Sequence, residues 1–222
     1  MTDPKVNIAI EAALNAFSKY NSFEATPFIS VFGEIFQSGE GFLTKIEMLD
    51  EVFDDYPQME DLREIFFDLL LINFFSADVK KLEEDYLDSP EWEEIEEQTL
   101  DRGTELLNLL LYLNECADED IEPELEDYLK EFLLVDEDEF QDEYRIYEPV
   151  ISNQILIESP LAEISKVASK LPEDSELKEL FYPMMCFFQN TSPSSEEKNS
   201  IVAQSINKEF DMAVLEILVS FC

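Results

Sequence analysis

Six times along this chain a proline stands where a helix would begin: Pro4, Pro27, Pro90, Pro123, Pro160 and Pro193. Several follow Ser, Thr or Asp, as in Thr2-Asp3-Pro4, Asp88-Ser89-Pro90 and Glu158-Ser159-Pro160. Proline has its φ preset for the first helical position and lacks an N–H that would go unpaired there, while a preceding hydroxyl or carboxylate can cap the exposed backbone N–H groups. Turns of the kind that join strands are scarce. The chain has four glycines, three of them within Gly33–Gly41, and neither Asn-Gly nor Asp-Gly. The pattern therefore predicts an all-α fold of about ten helices, spanning 4–20, 26–38, 44–55, 58–75, 89–116, 122–135, 139–156, 159–170, 173–189 and 195–221.

A comparison of the chain with itself organises these helices. At an offset of 115 residues, Thr44–Phe67 lies without gaps on Ser159–Tyr182. Thr44 meets Ser159 at a cap and Pro57 meets Pro172 at a helix start. Ile46, Leu49 and Val52 meet Leu161, Ile164 and Val167, and upstream Ile29 and Phe32 meet Tyr144 and Tyr147. This suggests internal duplication, with two similar five-helix halves, 1–118 and 119–222. The halves would pack together as a compact bundle or a short solenoid-like stack, and could form a single domain.

Charge sets the second constraint. Asp and Glu total 53 against 14 Lys and Arg, a formal net charge of −39. Residues 51–143 carry 34 acids and 5 bases. Such a field repels nucleic acid and anionic membrane surfaces and attracts cations and basic proteins. An acidic disordered segment would be poor in aromatics, but this chain has 18 Phe and 8 Tyr, so a packed core is expected. The richest apolar run, Ile65–Phe75, is too short to span a bilayer and includes Asp68 and Asn73. It reads as a central helix covered on all sides. The closing run from Met212 reads as a helix that completes the second half, with a homodimer seam as the alternative. The amino terminus has no basic lead followed by an apolar stretch, and the three cysteines lack framework spacing. Both features fit a cytoplasmic protein with free thiols.

The catalytic vocabulary is thin. The chain has no histidine, which removes His-based triads, His-bearing zinc sites and His-bearing di-iron motifs. No phosphate-cradling glycine motif occurs. An EF-hand loop needs Gly at its sixth position and Glu at its twelfth. Counted from Asp136 these are Gln141 and Tyr147, and counted from Asp118 they are Pro123 and Leu129. No catalytic residue, cofactor or metal ligand is assigned. Cys116 and Cys186 read as small core residues, with no histidine to activate them.

The segment Ser89–Leu100 carries the sharpest candidate. Trp92, Ile95 and Thr99 begin an apolar stripe at three-four spacing, and Glu91, Glu93, Glu94, Glu96 and Glu97 occupy the remaining surface. The Glu93/Glu97 pair costs roughly 0.2–0.5 kcal/mol in repulsion, which burial of one large side chain, worth about 1.5–3 kcal/mol, outweighs. These five glutamates are the candidate partner-binding surface. The reading is a non-enzymatic, acidic, helical interaction module that binds or inhibits a basic, nucleic-acid-binding protein, as a DNA mimic would. Two alternatives stand beside it: an enzyme using carboxylates and a divalent metal, or a structural helical protein whose acids only solvate it.

Overall fold

Helix-start chemistry accounts for where the elements begin. In the computed structural model, which describes residues 2–77, 89–136, 139–140 and 145–222, Asp3 accepts from the Lys5 N–H with Pro4 at the first position of α1 (Pro4–Ser18). Ser89 accepts from the Trp92 N–H with Pro90 opening α5 (Pro90–Thr99). Ser194 and Glu197 cap each other reciprocally at the start of α11 (Ser195–Gln204). Between these lie α2 (Ala25–Gln37), α3 (Phe42–Asp55), a 3-10 helix (Pro57–Leu62), α4 (Arg63–Ala77), α6 (Leu106–Glu119) and α7 (Leu125–Leu133). A small antiparallel pair, β1 (Leu134–Asp136) and β2 (Glu139–Phe140), follows. The chain continues through α8 (Glu148–Ile151), a second 3-10 helix (Gln154–Glu158), α9 (Leu161–Ala168), α10 (Phe181–Gln189) and α12 (Lys208–Phe221). The protein is an all-α bundle.

Its centre is α4. Ile65, Phe66, Phe67, Leu69, Leu70 and Ile72 are all buried, and so are Asp68 and Asn73. Helices α1, α3 and α6 pack around it. Asn73 has a partner in that setting, because its side-chain oxygen accepts from the Asp3 N–H at 2.9 Å and so ties the central helix to the start of α1. The most extensive helix–helix packing joins α1 to α12, which also lies against α6, α10 and α11. The closing helix therefore seals both halves of the chain.

The division at residue 118 coincides with a stop, where Asp120 adopts φ 57° and the Ile121 N–H reaches the Cys116 carbonyl at 2.9 Å. Both sides nevertheless contribute to one continuous apolar core. At the 115-residue offset Leu49 and Ile164, Leu62 and Leu177, and Phe66 and Phe181 are all fully buried, which packed amphipathic helices share in general and which does not establish duplication. Elsewhere the halves differ. Helix α2 has 13 residues where its counterpart α8 has 4, and α4 has 15 against 9 in α10. Their neighbours differ too, since α10 packs on α9 and α12. Tyr144, matched to Ile29 in the comparison, lies outside the described residues.

Four expected helices depart from their expected spans. The 89–116 span is two helices separated by Leu100–Glu105, with Gly103 at φ 86°. The 195–221 span breaks at Ser205–Asn207, where Asn207 caps α12 by accepting from the Phe210 N–H. Residues 173–180 form turns, and the helix begins at Phe181 with Pro183 in its first turn. Of the expected 139–156 helix, 141–144 lie outside the described residues, Glu139–Phe140 form β2, and the remainder holds α8 and a 3-10 helix.

Candidate functional site

Helix α5 is anchored through its apolar side. Ile95 is buried, and Trp92 stacks on Phe74 at 6.2 Å between ring centroids and lies 5.6 Å from the Phe75 ring. Ser89 closes the N-terminus, and the Thr99 hydroxyl donates to the Ile95 carbonyl at 2.7 Å near the other end. With that side fixed, Glu91, Glu93, Glu94, Glu96 and Glu97 are all exposed. The structure thus brings the five candidate residues together on the solvent side of one helix. Glu94 accepts from the Gln98 side chain at 3.1 Å, and none of the five makes an ion pair among the described residues. Five charges over Glu91–Glu97 amount to one per about 2 Å of helix axis, against one per about 1.7 Å for duplex DNA.

The cation nearest in sequence is engaged elsewhere. Arg102, three residues beyond α5, turns inward and grips Glu64 (Nε–Oε1 2.9 Å) and Asp50 (Nη1–Oδ2 3.0 Å). Its guanidinium also lies over the Phe67 ring at 4.9 Å. Arg63 is likewise enclosed by Asp50, Asp54 and Glu60, at 3.0, 2.6 and 2.8 Å. Of the three arginines in the chain, two are thus spent stitching α3, the first 3-10 helix, α4 and the α5–α6 turn together.

That turn is densely hydrogen-bonded and lies inside the 89–116 span expected as one helix. Asp68, wholly buried on α4, accepts from the Thr104 N–H at 3.0 Å and from the Thr104 hydroxyl at 2.5 Å. The Gly103 N–H donates to Glu64 at 2.7 Å, and the Thr104 hydroxyl accepts from the Leu106 N–H at 3.1 Å to start α6. Burial pushes the Asp68 carboxyl well above the usual carboxylate range, against the pull of the Thr104 hydrogen bonds. No buried side-chain polar atom of this turn lacks a hydrogen-bond partner, as a structural clamp requires.

A second polar cluster joins α6, α7 and α8. The Tyr147 hydroxyl donates to Glu105 at 2.5 Å and accepts from the Tyr128 hydroxyl at 2.9 Å, and the Asn108 amide donates to Glu105 at 2.9 Å. Burial raises both tyrosines above their ordinary pKa, so they stay protonated and act as hydrogen-bonding struts. Cys116 and Cys186 are buried, and burial pushes the Cys186 thiol up to about 12, so it persists as the unreactive thiol.

Among the described residues, no group of three or more Cys, Asp or Glu side chains converges in a way that could hold a metal ion. Half of the loop counted from Asp136, residues 137–138 and 141–144, lies outside them. No described helix is long and apolar enough to cross a membrane. Compared with known proteins, the chain matches no family model, no curated protein and no solved structure.

Uncompensated charge has a measurable consequence. The outward carboxylates repel one another through solvent, and added salt shortens that repulsion to a Debye length of about 8–10 Å at 0.1–0.15 M. The melting temperature is expected to rise with sodium chloride and level off as screening saturates. A thermal scan that shows no dependence on salt would mean the repulsion does not strain the fold.

Proposed function

We propose that this protein is a non-enzymatic interaction module whose carboxylate surface engages a basic protein, in the manner of a DNA mimic. The observation that carries the reading is α5. Its five glutamates face solvent at nearly the charge spacing of duplex DNA, while the arginine next to them in sequence is turned into the fold. A surface that only needed solubility would do as well with Arg102 pairing along the helix. Here the cation is withdrawn and the acids are left open to lysines and arginines from outside. Such a surface raises the encounter rate with a cationic partner through long-range steering, an effect that falls steeply with ionic strength.

The test separates binding from folding. Replacing Glu93, Glu94 and Glu97 by Gln removes three charges while leaving helix propensity nearly unchanged. The variant is expected to melt at the same temperature as the parent or slightly higher. A basic partner, captured from lysate at low salt and released at high salt, should associate with it roughly tenfold more slowly and with a shallower salt dependence. Equal association rates for variant and parent would leave these acids with no role beyond solvation. Calorimetric titration with magnesium, manganese and calcium addresses the competing reading of a carboxylate enzyme. Stoichiometric, tight uptake of a divalent ion at physiological salt would favour that enzyme.

A further inference from the structure

A groove on the opposite part of the chain's chemistry, apolar where α5 is charged, runs between α2 and α3. Its floor and walls are Phe28, Val31, Ile35, Met48, Val52 and Tyr56, and its volume is about 410 Å³. That volume falls within the roughly 300–1,000 Å³ typical of binding clefts. Two of these side chains are exposed well beyond what a core-facing position would show, Val31 at 39% and Tyr56 at 43%. Phe28 and Tyr56 meet edge to face at 4.7 Å and close one end. Around this apolar strip stand Glu34, Glu51 and Asp55, all exposed. None of the three makes an ion pair among the described residues, and no lysine or arginine lines the groove.

The geometry points to this groove as the docking site for a basic amphipathic helix of the partner protein. An oily trough between two parallel ridges of side chains receives apolar residues at three-four spacing from a helix laid along it. The acidic rim selects for lysine or arginine on the flanks of that helix and rejects an acidic or neutral one. A second copy of this chain is a poor occupant, since at −39 each copy would bring its own carboxylates against that rim. The inference rests on the basic-partner reading and adds a division of labour: α5 attracts at long range, and the α2–α3 groove supplies short-range recognition.

The test uses the whole chain and two 18-residue peptides made only of leucine and lysine. One places leucines at three-four spacing, and the other has the same composition scrambled so that no apolar face forms. At physiological salt the patterned peptide is expected to bind at least tenfold more tightly than the scrambled one, and to shift the methyl resonances of Val31, Ile35, Met48 and Val52. Val31→Lys, at an exposed position on α2, should lower its affinity about tenfold without changing the melting temperature. The Glu93/Glu94/Glu97→Gln variant should retain the patterned peptide's affinity within about threefold. If both peptides bind equally and the shifts fall on Trp92 and Ile95 instead, the groove assignment is overturned while the basic-partner reading stands. If neither binds even at low salt, both are overturned.

Discussion

A Gly103→Ala variant is expected to melt about 6–12 °C below the parent, a loss on the order of 3 kcal/mol at 2–4 °C per kcal/mol for a domain of this size. Two costs add. Gly103 sits at φ 86°, a backbone conformation that penalises an L side chain by roughly 1–2 kcal/mol. An added Cβ would also lie 2.7 Å from Asp68 Oδ1 and 3.2 Å from the Phe67 ring. Asp68 cannot withdraw without breaking its hydrogen bonds to Thr104, and leaving a buried hydrogen-bonding group unpaired costs about 1–3 kcal/mol. Gly39→Ala is the matched control, because nothing lies within 4 Å of its added Cβ. Thermal melts within a degree of each other for the parent and Gly103→Ala would show that the turn is not the clamp its geometry describes.

Stability is also expected to rise as the pH falls from 7.5 towards 5. Asp211 is buried on α12, where its Oδ2 accepts from the Ser205 hydroxyl at 2.6 Å and from the Ile206 and Asn207 N–H groups at 3.2 and 3.3 Å. Burial outweighs those bonds and lifts its carboxyl to about 6. Burial raises Asp68 and Glu179 in the same direction. A carboxyl whose pKa is higher folded than unfolded binds its proton more tightly in the native state. Its ionisation at neutral pH therefore penalises the fold, and the penalty begins to lift as pH falls through the folded pKa and is gone only below the unfolded one. For Asp211, at about 1.4 kcal/mol per pKa unit, the full relief is on the order of 3 kcal/mol, of which roughly half arrives between pH 7.5 and 5. Glu126 and Glu197 are held below the usual range by Lys130 and Ser194, and their contribution is lost at more acid pH, so the profile should turn over. Asp211→Asn keeps the acceptor oxygen and should flatten the rise between pH 7.5 and 5. A parent whose stability falls monotonically over that interval would contradict the raised carboxyls.

The elements legible in the sequence were those with their own punctuation. Asp3-Pro4 and Ser89-Pro90 start helices where their residue types demand it, and the apolar run around Phe66, broken only by Asp68 and Asn73, is the buried centre. The break at Leu100–Glu105 was hidden by a coincidence of phase. Trp92, Ile95, Thr99, Leu106, Leu109 and Leu113 keep a continuous three-four spacing across the six-residue turn, so periodicity passes over it without a signal. The clue lay in Gly103 followed by Thr104, a glycine and a cap residue inside an otherwise helical stretch. Ser205 and Asn207 offered the same clue ahead of α12. The glutamates of α5 were visible as a pattern, and so was their burial-driven orientation. The inward turn of Arg102 was not, because its partners Asp50 and Glu64 come from helices far away in sequence. The α2–α3 groove was equally hidden: an amphipathic face announces itself locally, but whether another helix covers it is decided by packing.

The pairing of α1 with α12 places a demand on how the chain comes into being. Helix α1 emerges from a ribosome well before α12, and the surface it rests against belongs to residues 208–221. At about 5–20 residues per second, α1 waits on the order of tens of seconds for that surface to be synthesised. Over that interval Val6, Ile10, Leu14 and Phe17, all buried in the finished molecule, lack the neighbour that covers them. This pairing of the two ends of the bundle is a contact distant in sequence, and such contacts slow the search beyond what an all-helical chain would otherwise suggest. The nascent chain carries its own protection: a strongly acidic polypeptide repels its copies on neighbouring ribosomes, so charge can hold off association until the last helix closes the bundle.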